Sequence, residues 1–234
     1  MSTVQDHDGE SATSALWLRH CPQQSRAAII TLHGGRAEGY QTSLPWHLTA
    51  LRMRPVLHAA ASAMPLDDIV LAHVRYRHRG WNHNDPLNDA HRALSELQQI
   101  AGAVPTILIG HSMGGRAALR AASHPQVHSV LALAPWLPPG EPTRQLSGKC
   151  AVVVHGERDR ITSPYTSTDY IRRARAAGVH AGIILIRNGD HAMLHRSALW
   201  HRTVTTVVTD LLRPKAPPSG LTATSYAATD PLVL

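Results

Sequence analysis

The chain has 234 residues, 43% of them hydrophobic, no phenylalanine, and a formal net charge of +7 with histidine neutral. That is enough apolar material for one buried core. No stretch reads as a membrane span, and two cysteines are too few for a disulfide framework. The basic excess is arginine scattered over helices and loops, densest at Arg75 to Arg79, without the long basic helix or aromatic-studded sheet of a nucleic-acid reader, so nucleic acid is not expected as a partner.

Residues 1–13 are polar and lack the charged-then-apolar order of a secretory signal. They read as a flexible N-terminus, and the protein as cytoplasmic. A single domain is expected over 14–213. Residues 14–20 alternate apolar and polar, as an edge strand does. Ala27 to Leu32 is a continuous apolar run, the mark of a buried strand, and it runs into His33-Gly34-Gly35-Arg36. A helix is expected over about 43–61, interrupted by Pro45 and Pro55. Residues 69–76 read as the next strand. Asp85 to Ile100 reads as an amphipathic helix, with Asp85 as cap and Pro86 at its first position.

Residues 106–122 carry most of the information. The β-branched run Ile107 to Ile109 stops at Gly110-His111-Ser112-Met113-Gly114, and a small-residue helix former sequence follows at once. That is a strand, a very sharp turn and a helix, with one serine at the apex. A Cβ at Gly110 or Gly114 would collide with the neighbouring strand or helix. The turn lifts the Ser112 hydroxyl above the sheet and leaves the Met113 amide at a helix start, where N–H groups are unpaired.

A serine hydroxyl is a weak nucleophile and needs a base and an acid that orients the base. A strand over 127–134 comes next. The interval Pro135 to Lys149, with four prolines and two glycines, is too short for a lid domain. Cys150 to His155 reads as a strand, and the loop after it offers Asp159, with Glu157 as the competing acid. A helix over about 164–177 leads to a strand over 181–186, whose following loop ends in His191. A last helix is expected over about 192–212. The tail, 214–234, is rich in Pro, Ser, Thr and Ala and reads as flexible. Alternating strands and helices imply a parallel, doubly wound α/β sheet. Cys21 and Cys150 read as small apolar thiols.

The order Ser112, Asp159, His191, each just past a strand, together with Gly110-His111-Ser112-Met113-Gly114-Gly115, resembles the α/β-hydrolase superfamily over residues 14–213. It also looks like the small, capless serine hydrolases of actinobacterial type. The resemblance implies an eight-stranded, mostly parallel sheet with helices on both faces. It also implies cleavage of a small-molecule carboxylic ester or thioester through an acyl-enzyme, with Ser112 as nucleophile, His191 as base and Asp159 as orienting acid. The amides of Met113 and Gly35 would form the oxyanion hole. The loop His33-Gly34-Gly35-Arg36 departs from the family's His-Gly-Gly-Gly.

Loops at the strand ends supply Arg36, Trp81, Trp136 and Met193 as substrate-binding candidates. Either tryptophan could pack an acyl group or seal the sheet end, and Arg36 and Arg79 either bind an acidic group or face water. No cofactor is called for. A metal site is not expected either, since Asp190, His191 and His195 lack the His-Glu-x-x-His pattern. The alternatives are a thioesterase with an acyl-carrier partner, and a non-hydrolytic cyclase or small-molecule binding protein on the same fold.

Overall fold

The computed structural model describes residues 14–62, 65–213 and 220–234; the segment 1–13 lies outside them. Eight strands form one sheet: β1 (Leu16–His20), β2 (Ala27–Leu32), β3 (Ile69–Val74), β4 (Thr106–His111), β5 (Val127–Leu133), β6 (Cys150–Gly156), β7 (His180–Ile186) and β8 (Leu232–Val233). Their order is β1-β3-β2-β4-β5-β6-β7-β8, and only β1 runs antiparallel. The inner strands are buried at almost every position because helices cover both faces.

Alternate residues of each strand feed two separate cores, as the period of two requires. Ala28, Ile30, Leu108, Val130 and Val153 point to one face. There they meet Leu94 and Leu97 of α3 (Asp85–Ala101), Ala117 and Ala118 of α4 (Met113–Ala121), and Ile171 of α5 (Pro164–Ala176). Ile29, Ile107, Leu131, Val152 and Ile184 point to the other face. Their partners are Met53 and Val56 of α2 (Met53–Ala61) and Trp200, Val204 and Val208 of α6 (Ser197–Leu211).

Several elements depart from expectation. The helix expected over 43–61 is confined to α1 (Leu48–Leu51) and α2; Pro55 is accommodated in the first turn of α2, where backbone N–H groups have no intrahelical acceptor anyway. Asp85 is not a cap but the first residue of α3. Its carboxylate accepts instead from His78 Nδ1 and Asn82 Nδ2, both at 2.8 Å. The last long helix starts at Ser197 rather than near 192. Asp190 Oδ1 accepts the amides of Leu194 (2.9 Å) and His195 (2.8 Å), and this holds the segment before it as a loop.

The flexible tail is corrected most. Residues 214–219 lie outside the description, but Gly220–Ala227 form α7 and Leu232–Val233 pair in parallel with β7. Arg175 fastens α7, donating to the carbonyls of Ser225 (2.5 Å) and Ala228 (2.6 Å). Of the two thiols, Cys21 is exposed and Cys150 is half-buried; both are free. Among the described residues no helix is long and apolar enough to cross a membrane.

The strand order reverses at β2 and β4, since β3 lies on one side of β2 and β4 on the other. At such a point the loops leaving adjacent strands diverge to opposite faces and open a crevice at the strands' carboxyl ends. The two segments singled out from sequence, His33 to Arg36 and the Ser112 turn, leave β2 and β4 there.

Candidate active site

The turn after β4 puts Ser112 at φ 55°, ψ −119°, a conformation that L side chains rarely adopt and that costs about 1–3 kcal/mol. The backbone holds it there from both directions. The Ser112 amide donates to Leu133 (3.0 Å), and its carbonyl accepts from Arg116 (3.2 Å) and Trp136 (3.1 Å). A Cβ on Gly110 would strike the Gly114 carbonyl, and one on Gly114 would strike the Leu32 carbonyl. Both glycines therefore serve close backbone approach, which brings α4 down onto β2 and β4.

Met113 opens α4, so its amide lacks an intrahelical acceptor. The loop after β2 lies directly against it. A Cβ on Gly34 would stand 3.3 Å from Ser112 Cβ, and one on Gly35 would meet the Met113 thioether. The Arg36 amide is taken by the Arg79 carbonyl at 2.9 Å, whereas the Gly35 amide has no backbone acceptor among the described residues. His33 fixes this loop: its Nδ1 donates to the Gly34 carbonyl (2.7 Å), and its Nε2 accepts from Ser43 Oγ (3.3 Å). Burial lowers its pKa to about 4, so the ring is neutral at pH 7.

The register of β6 and β7 pairs Gly156 with Ile186, so the loops carrying Asp159 and His191 emerge side by side. Asp159 Oδ2 stands 2.7 Å from His191 Nδ1. Thr162 Oγ1 lies 2.8 Å from the same oxygen and 3.1 Å from His191 Nδ1. The amides of Ile161 (2.8 Å) and Thr162 (2.9 Å) donate to Oδ1. Behind the carboxylate sits His155, fully buried; its Nε2 donates to the Thr162 carbonyl at 3.2 Å and is also 3.2 Å from Asp159 Oδ2. Its Nδ1 takes the Ser167 hydroxyl at 2.8 Å.

Burial alone would raise the Asp159 carboxyl. The hydrogen bonds from His155, His191 and the two amides outweigh it and hold the group well below the usual carboxylate range. The group is therefore a carboxylate at any working pH. Glu157, the competing acid, is exposed and among the described residues accepts only the Asn188 amide (3.2 Å). His191 reaches the serine turn through His111, whose Nε2 donates to the His191 carbonyl at 2.9 Å and whose ring centre is 4.8 Å away. Burial, and the positive charge His191 can carry, lower the His111 pKa to about 3.

The expected substrate walls divide. Trp81 and Trp136 both pack against the Arg116 guanidinium, which lies 4.0 and 4.8 Å from the two ring centres. Arg116 also pairs with the buried Glu141 at 2.8 Å. Trp81 is 6% exposed and Met193 5%, and both pack into the cores. Arg36 is exposed and lines a cleft of about 570 Å³ beside Gly34 and Gly35. A second cleft, of about 650 Å³, opens beside His191. Asp190, His191 and His195 do not converge, since His191 Nδ1 faces Asp159 while His195 stands 3.7 Å from Asp190.

His155, Thr162 and Arg116 were not singled out from sequence. Thr162 had a signal, since an aspartate followed three residues later by threonine suits a tight turn closed by side-chain hydrogen bonds. Arg116 had a weaker one: Glu141 is the only acid between Pro135 and Lys149.

Residues 73–211, more than half of the chain, match the α/β hydrolase domain family, and the chain belongs to it; it is a hydrolase. Solved structures share the fold. A serine hydrolase without a lid from Xanthomonas campestris is 18% identical, covers 86% of this chain and 89% of its own, and has a TM-score of 0.61. Est1E from Butyrivibrio proteoclasticus is 13% identical over 84% of this chain and 93% of its own, with a TM-score of 0.59. A thermophilic esterase from Thermogutta terrifontis, solved with propionate bound, is 16% identical over 87% and 90%, with a TM-score of 0.61. No curated protein matches by sequence.

Proposed function

We propose that the protein is a serine hydrolase of small-molecule carboxylic esters or thioesters, with Ser112 as nucleophile, His191 as general base and Asp159 as the acid that orients it. The observation that carries this reading is the Asp159–His191 contact of 2.7 Å on the loops beside a serine held at φ 55°. An ionised Asp159 fixes the proton on His191 Nδ1 and leaves Nε2 free to accept one. His191 takes the Ser112 proton as Oγ bonds to the acyl carbon. The Met113 and Gly35 amides are the candidates to bind the oxyanion. The bond to the leaving oxygen or sulfur then breaks, and that atom leaves with the proton held by His191. Water, deprotonated by His191, attacks the acyl-enzyme, and the acid departs as Ser112 recovers its proton.

A fluorophosphonate tests this without a guess at the substrate. One stoichiometric adduct by intact mass on the wild type, and none on Ser112→Ala of unchanged circular dichroism, is the expected result. A folded wild type that stays unlabelled overturns the assignment and favours the binding-protein alternative.

A further inference from the structure

Resting on that assignment, we propose that the leaving group of the substrate is polyanionic and phosphoryl-bearing, and that Arg52, Arg158, Arg160 and Arg196 hold it in the cleft beside His191. These four side chains line the 650 Å³ cleft together with His191 and His195. They come from three separate segments: the end of α1, the loop after β6 and the loop before α6. None of the four makes a side-chain hydrogen bond or ion pair among the described residues. Arg26, Arg77, Arg116, Arg120, Arg172 and Arg173 all pair with carboxylates.

Acidic groups near the cleft do not neutralise it. Asp190 is the only acid lining it, and its Oδ1 is already occupied by the amides of Leu194 and His195. Glu157 is turned to the Asn188 amide on the rim. Four fixed cations against these two acids and Asp159, which lies behind His191, leave the cleft positive. Arg36 and Arg79 extend the same sign into the neighbouring cleft, which shares Arg52.

Position assigns this charge to the leaving group. In acyl transfer the histidine protonates the departing atom, so that atom and whatever it carries must lie on the histidine's flank. His191 itself lines the charged cleft. Guanidinium forks match the paired oxygens of phosphate, and several forks around one cleft suit several phosphoryl oxygens better than a single carboxylate. The volume lies within the range of small-ligand sites, roughly 300–1,000 Å³.

The test measures binding, so it does not depend on choosing the right acyl group. Free coenzyme A, a thiol bearing three phosphates, is titrated calorimetrically against the full chain at low salt. N-acetylcysteamine, the same thiol end without phosphate, is the control. The expected result is saturable coenzyme A binding at least about tenfold tighter than the control, displaced by pyrophosphate and weakened severalfold in half-molar salt. The pair Arg158→Ser and Arg196→Asn should lower coenzyme A affinity about tenfold. Asparagine is chosen because residue 196 has φ 64°, which asparagine tolerates.

A companion titration uses 4′-phosphopantetheine, the one-phosphate arm borne by carrier proteins. Tighter binding of coenzyme A than of this arm supports a polyanionic leaving group, and equal binding of the two overturns it. Absent coenzyme A binding, or affinity unchanged in the double variant, overturns the proposal. Fluorophosphonate labelling of the same preparations reports separately on Ser112, so the two readings can fail independently.

Discussion

Arg116 and Arg158 both stand at the carboxyl edge of the sheet, yet one is locked and the other open. Arg116 is stacked between two tryptophans and paired with a buried carboxylate, and burial lowers its pKa. Arg158 is exposed, and its side chain makes no hydrogen bond or ion pair among the described residues. The same division runs through the site. Asp159, His33 and His111 are locked by hydrogen bonds, while the arginines flanking His191 are free. Locked charges set geometry, and free ones are available to a ligand.

The sharpest way to break this comparison is Asp159→Asn. It removes the charge while keeping the shape, so His191 loses the acceptor that fixes its tautomer. Turnover should fall by about 10⁴-fold with the fold intact, measured as kcat/KM on whichever ester is cleaved. A loss under tenfold would place the orienting acid elsewhere.

Acid tests the locked histidines. Burial lowers the pKa of His33 and of His73 to about 4 and of His111 to about 3. Unfolded, each titrates near 6.5. Between pH 6.5 and 4 the unfolded chain thus binds protons that the native chain refuses, and stability falls as pH falls. Thermal melts should show Tm dropping by on the order of 10 °C from pH 7 to pH 4. Asp159 contributes little above pH 4, because its carboxyl is ionised both in the native state and in the unfolded chain there; its contribution is lost only as pH falls further. A Tm flat down to pH 4 would mean that these rings are protonated in the native state.

The smallest effect is on stability and contrasts the two arginines directly. Arg116→Ala removes the ion pair and both ring contacts and should cost about 3 kcal/mol by urea unfolding. Arg158→Ser should stay within about 0.5 kcal/mol. Equal costs would erase the distinction between locked and open.

Much of this was legible before the structure because it rests on local rules. Gly110 and Gly114 announce close backbone approach around Ser112, and apolar runs such as Ile107 to Ile109 announce buried parallel strands. The order of Ser112, Asp159 and His191 follows the strand order. What stayed hidden depends on contacts distant in sequence. The Arg116 stack needs Trp81 and Trp136 brought together from two loops, 55 residues apart in numbering. Met193 stands at φ 59° and packs into the core, which its place in a loop after a strand did not announce. The end of the chain was hidden for another reason. A two-residue strand carries no periodicity, and its order comes from pairing with β7.

That pairing has a consequence for how the molecule behaves in company. Leu234 donates its amide to Leu185 and accepts from Arg187, so the edge of β7 is occupied along its outer half. Beside that edge, Ser225 and Tyr226 of α7 pack over the face of β7 at Gly182. Were residues 220–234 to detach, β7 would offer a row of unpaired amides and carbonyls flanked by Ile183 and Ile184, a ready template for a strand from another molecule. The short final segment thereby acts as a guard against self-association.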